Sequence, residues 1–106
     1  IKDWAKAIEI FESAPLFWHN PGAIKSKNGT FLKFPTYEEG FNYLCDYLTR
    51  ACEGKHKAYP KGGETTLLEF FEIYAPTEDR NRPDIYSNFV AKKLSIETII
   101  KIKELL

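Results

Sequence analysis

Residues 8–26 read IEIFESAPLFWHNPGAIKS, and the stretch Phe11-Glu12-Ser13 at its centre carries a conflict. It closes an amphipathic helix, yet it sets a carboxylate on the face that the helix buries. From residue 1 to about 14, IKDWAKAIEIFESA has a helical period and is stopped by Pro15. With Trp4 at 0° and steps of about 100° per residue, Ile8 falls at about 40°, Phe11 at about −20°, Ile1 at about 60° and Ala5 at about 100°. Glu12 falls at about 80°, inside that apolar arc. A carboxylate in this position has two readings. Half-buried beside aromatic rings, its charged form is disfavoured, its pKa rises and it suits general acid catalysis. Alternatively, it reaches from the helix end to water, or caps a neighbouring loop.

The segment after it, PLFWHNPG (15–22), reads as a tight aromatic loop. Next comes AIKSK-NG-TFLKF, where Asn28-Gly29 is the favoured dipeptide of a type I′ hairpin turn, so strands are expected near 23–27 and 30–34. Thr36 with Glu39 forms a capping box that opens a helix of about 37–53, stopped by Gly54. A polar loop, GKHKAYPKGGE (54–64), separates it from a second capping box, Thr66 with Glu69, and a helix to about Tyr74. After the charged loop APTEDRNR, Pro83 suits the first turn of a helix over about 83–93, and Ser95 reads as the cap of a last helix over about 96–105. The expected fold class is α+β, mainly α: one domain of about five helices around a short two-stranded β-hairpin.

The bulk numbers narrow the field. A chain of 106 residues suits one domain, and 43% hydrophobic content with 15% aromatics can fill a core without staples. Fifteen Lys plus Arg balance fifteen Asp plus Glu, which argues against a nucleic-acid partner. Cys45 and Cys52 share a helix face about 10 Å apart along the axis, too far for a disulfide, and read as reduced core residues. No apolar run approaches the roughly 18–20 residues of a membrane span. No signal peptide is present, and a start at Ile1 rather than Met fits a domain cut from a larger chain, while balanced charge and one compact core fit a monomer.

Asn20 offers a donor and an acceptor beside His19, although Asn-Pro-Gly is also simply a turn. The rings of Phe17, Trp18, Tyr74 and Tyr86 suit a carbohydrate groove and equally suit a core. Asp79, Asn81 and Asp84 begin like a calcium loop, but the glycine and the closing glutamate of that loop are missing, so neither metal nor cofactor is expected. No G-x-S-x-G is present, Cys45 and Cys52 lie on a core stripe, and His56 lies in a Lys-rich loop, so no nucleophile scheme stands.

Taken in order, these pieces resemble the lysozyme-like superfamily, specifically lytic transglycosylase-like modules and their phage-borne relatives. Those modules have a first helix ending in Glu-Ser, here Glu12-Ser13. Many phage-associated members continue with an Asn-Asn-Pro-Gly-Asn-Leu type of segment, a Phe-rich strand and a glycine in the following helix. Here HNPGAIK (19–25), TFLKFPTYEEG (30–40) and YAPTEDRNRPDIYSNFVAKKL (74–94) follow in that order, so the likeness spans roughly residues 5–95. It implies cleavage of the β-1,4 bond between N-acetylmuramic acid and N-acetylglucosamine in peptidoglycan, at the bacterial cell wall. Glu12 takes the place of the catalytic acid and Tyr74 that of the tyrosine on the cleft floor. Asn20 and Ile24 take the place of the cleft-forming loop. The candidate substrate contacts are then His19, Asn20, Ile24, Ser26, Tyr74, Asn81 and Tyr86. His19, Ala23 and Ala75 depart from the family pattern, each standing where an asparagine is usual. A non-catalytic peptidoglycan-binding or virion structural module is the alternative.

One further reading concerns the mechanism. The segment NPGAIKSKNGTFLKF (20–34) holds no Asp or Glu. Two-carboxylate hydrolysis needs a partner near the acid. Its absence from this segment favours Glu12 acting alone as acid and base, unless Glu38, Glu39 or Asp79 approaches in three dimensions.

Overall fold

The computed structural model describes residues 1–13 and 18–106; the first three residues of the aromatic loop expected at 15–22, Phe17 included, lie outside them. Four α-helices carry the fold among the described residues: α1 (Lys2–Glu12), α2 (Tyr37–Cys52), α3 (Leu67–Tyr74) and α4 (Pro83–Leu94). Short 3-10 turns follow at Gly62–Glu64, Thr77–Asp79 and Ile102–Leu105. α4 packs along both α1 and α3. The radius of gyration is 12.8 Å, the value of one packed domain, since ~100 residues give about 13 Å.

The helix ends follow from local chemistry. Thr36 Oγ1 accepts from the Glu39 N–H at 3.2 Å and starts α2, and Gly54, at φ 74°, supplies the left-handed residue just past its end. Thr66 and Glu69 form a complete capping box on α3, with N–H to oxygen distances of 3.1 and 2.9 Å. Pro83 sits in the first turn of α4. α1 stops at Ser13, which turns left-handed at φ 48°, two residues before Pro15.

Apolar faces of all four helices meet in one core. Trp4 and Ile8 of α1, Leu44 and Leu48 of α2, Phe70 and Phe71 of α3, and Val90 of α4 are buried together. Trp4 meets Phe70 edge-on at 4.7 Å between centroids. Cys52 is buried and Cys45 partly so, and both are free. Among the described residues, no helix is long and apolar enough to cross a membrane.

The α+β expectation is overturned: the described residues form no strand. Where the hairpin was expected there is a single isolated bridge between Lys25 and Phe31. Two asparagine side chains are the reason. Leu32 N–H reaches the Ile24 carbonyl at 2.9 Å, half of an antiparallel pair. The reciprocal bond is replaced by Asn20, whose Oδ1 accepts from Ile24 N–H at 3.1 Å and whose Nδ2 donates to Leu32 O at 3.0 Å. The same Nδ2 donates to Ile24 O at 2.8 Å. At the tip, Asn28 Oδ1 takes the Thr30 N–H at 3.1 Å, closing the ladder there too. Of the dipeptide Asn28-Gly29, Gly29 alone has positive φ, so the turn is not type I′, which needs both.

The fifth helix is corrected as well. Ser95, at φ 56°, ends α4 instead of opening a new helix. Residues 96–101 run along the start of α3, where the Ile100 and Thr98 carbonyls accept the Leu67 and Leu68 N–H groups at 2.9 and 3.1 Å. Those first-turn donors have no partner inside their own helix, and residues 97–100 close a turn against them, with the Ile100 N–H on the Glu97 carbonyl at 3.2 Å.

Candidate active site

Glu12 is the last residue of α1, and its carboxylate lines a cleft of about 770 Å³. Behind it the Tyr86 hydroxyl donates to Glu12 Oε2 at 2.7 Å. Tyr86 cannot swing away freely. It is 1% exposed, and its ring is stacked between Phe11 at 3.9 Å and Phe71 at 4.2 Å. Burial raises the Glu12 pKa above the ordinary carboxylate value, while the Tyr86 hydrogen bond and the Lys25 ammonium oppose that rise without cancelling it. The C-terminal end of α1 adds its own partial negative charge, which also favours the neutral acid.

Tyr74, from the last turn of α3, forms part of the cleft wall and donates to the Gly22 carbonyl at 2.6 Å. Burial first, and the Glu12 charge next, raise its pKa, so it stays a neutral phenol. The close approach needs glycine: a Cβ at residue 22 would stand 2.6 Å from the Tyr74 oxygen. The same loop is pinned to α2 at Gly40, where a Cβ would fall 1.7 Å from the His19 carbonyl oxygen. His19 and Ala23, the two departures flanking Asn20-Pro21-Gly22, both have left-handed backbones, at φ 50° and 51°. Asparagine tolerates that region better than most residues.

Of the residues singled out from sequence, the fold brings Glu12, Ile24, Ser26, Tyr74 and Asn81 to one cleft. His19 and Asn20 instead shape the loop: Asn20 is 2% exposed and its amide is used on Ile24 and Leu32. Tyr86 lies behind Glu12. Ser26 Oγ is tied to Asn28 Oδ1 and to Thr30 O, the latter at 3.2 Å. Asp79 lines the cleft too, whereas Glu38 and Glu39 are exposed in the first turn of α2. Asp84 is paired with Arg82 at 3.1 Å. Among the described residues, no group of three or more His, Cys, Asp or Glu is placed to hold a metal ion.

The far half of the cleft was not foreseen. Tyr43, Tyr47 and Arg50 of α2 face it, together with His56 from the following loop. Their spacing of four and then three residues marks one helix face beside the Leu44–Leu48 core stripe, a signal legible in the sequence. Tyr47 meets His56 edge-on at 4.6 Å, and its hydroxyl meets that of buried Tyr59 at 2.8 Å. Burial, and then the nearby Arg50 charge, lower the His56 pKa, so it is neutral at neutral pH.

Comparison of the chain with family models, with characterised proteins and with solved structures returned no match.

Proposed function

We propose that this domain cleaves the β-1,4 bond between N-acetylmuramic acid and N-acetylglucosamine in peptidoglycan, working on the bacterial cell wall. The observation that carries the reading is Glu12: a desolvated carboxyl with raised pKa, held by a buried tyrosine at the edge of a cleft large enough for sugar rings. The Glu-Ser, Asn-Pro-Gly and Tyr-Ala-Pro order of the sequence supports the same reading. One chain supplies the whole cleft, so a monomer suffices.

In the scheme we favour, protonated Glu12 gives its proton to the glycosidic oxygen as the C1–O bond breaks. The N-acetylglucosamine leaves with a free 4-hydroxyl. The resulting Glu12 carboxylate takes the proton of the muramyl 6-hydroxyl, whose oxygen bonds to C1. The product is a 1,6-anhydro sugar, and no water is consumed. Asp79 favours a second scheme, since it brings another carboxylate to the cleft. With a water activated there, the outcome is hydrolysis to a reducing end.

Digestion of purified sacculi followed by mass spectrometry tests both. Anhydro-muropeptides support the first scheme, and reducing-end products eighteen mass units heavier, about one water, support the second. Intact sacculi overturn cleavage and leave the alternative, a binding or virion structural module.

A further inference from the structure

The charge of the cleft is uneven in a chain whose formal net charge is zero. Lys25 and Lys27 on the 23–32 loop and Arg50 on α2 line it, against the carboxylates Glu12 and Asp79. Arg50 Nε stands 3.1 Å from Asp46 Oδ2, one turn back on the same helix, without a hydrogen bond between them. Among the described residues no hydrogen bond occupies its two terminal nitrogens, which leaves the fork of the guanidinium for a planar anion. Tyr47 and His56, whose rings meet edge-on at 4.6 Å between centroids, line the same cleft. Lys25 lies over the Phe31 ring, with its ammonium 5.4 Å from the centroid.

Sugar hydroxyls can accept from a cation, but a carboxylate matches the fork of Arg50 with two oxygens and adds the attraction of opposite charge. Peptidoglycan differs from neutral glycans by the short peptides on its muramyl lactyl groups, and these end in carboxylates. We propose that the half of the cleft built from Arg50, Tyr47 and His56 is a subsite for a carboxylate of the stem peptide. The substrate class is thus peptide-bearing, acidic glycan strands instead of bare strands. This rests on the proposed function for the identity of the glycan, but not on turnover.

The probes are a disaccharide-dipeptide, N-acetylglucosaminyl-N-acetylmuramyl-L-Ala-D-Glu, with both carboxylates free, and its diamide, measured by titration calorimetry on the intact domain. At low salt the free acid is expected to bind at least tenfold more tightly than the diamide. Arg50→Gln should remove most of that difference, and Arg50→Lys should restore part of it. Equal affinity for the two probes, or no binding of either at millimolar concentration, overturns the subsite. Inorganic phosphate competing as well as the dipeptide does also overturns it, because it marks a general anion site. Sacculi that are cut while the probes bind equally sink the subsite and spare the function. Intact sacculi with a clear preference for the free acid do the reverse.

Discussion

The Tyr86 hydroxyl and the Glu12 carboxylate meet at 2.7 Å across 74 positions of sequence, at the junction of α1 and α4. This contact tempers the shift that burial sets on Glu12. Burial alone pushes the carboxyl toward its neutral form, and the phenol donor restrains that push. The carboxyl is left with a pKa above the ordinary carboxylate value.

Glu12→Gln removes the titrating group but keeps an oxygen for Tyr86. Turnover of sacculi is expected to fall by about a hundredfold to ten-thousandfold, the usual worth of a general acid–base group. The circular dichroism spectrum should stay unchanged. Undiminished turnover would show that another residue supplies the proton.

Tyr86→Phe leaves the ring stacked between Phe11 and Phe71 and deletes only the donor. Loss of one hydrogen bond should cost about 1 kcal/mol in chemical denaturation. Because that bond lowers the Glu12 pKa, its removal should raise it. The alkaline limb of the pH–rate profile, where Glu12 loses its proton, should then move to higher pH. An unmoved limb would separate Tyr86 from the chemistry.

Glu12 also predicts a pH dependence of stability. Its folded pKa lies above the unfolded value of about 4.5, so between those two values the folded state holds more protons. Its contribution therefore becomes unfavourable as pH rises from about 4.5 through the folded pKa. Glu12→Gln and the parent should be equally stable below that window, and the variant should gain as pH rises through it. Denaturation midpoints at a series of pH values test this, and a gain on the acid side would reverse the sign.

Gly40→Ala places a methyl 1.7 Å from the His19 carbonyl oxygen, and backbone has to move. A loss of about 3 kcal/mol or more is expected, together with loosening of the loop that carries Asn20 and Gly22. Gly29→Ala is the control: no atom lies within 4 Å, and the cost is about 1 kcal/mol for the left-handed backbone alone. Similar losses in the two variants would place the His19 segment away from α2.

Ala23→Gly relieves a left-handed alanine at φ 51°. The gain should be about 0.5–1 kcal/mol, since part of the relief is offset by a freer unfolded chain. In a domain of this size that raises Tm by about 2–8 °C. A fall in Tm would mean that the methyl group packs well enough to outweigh its backbone cost.

Much of this molecule was legible before folding. Helix positions followed from period and caps: the Thr36 and Thr66 boxes, Pro83 and the apolar arc through Trp4 and Ile8 each name a local interaction within four residues. So did the odd placement of Glu12, because a 3.6-residue period reports which way a side chain faces. The sequence also read as a hairpin and a fifth helix, and both readings failed where a distant group outbid the local signal. Asn20 took the hydrogen bonds of one ladder rung, and the free N–H groups of α3 took the carbonyls of Thr98 and Ile100, where residues 97–100 form a turn instead of a helix. Tertiary structure alone decided that Tyr86 supports Glu12 from behind, that Asn20 shapes the loop, and that Asp79 and Arg50 reach the same cleft. Those facts depend on packing between segments dozens of residues apart, and no periodic pattern in the chain encodes such a distance.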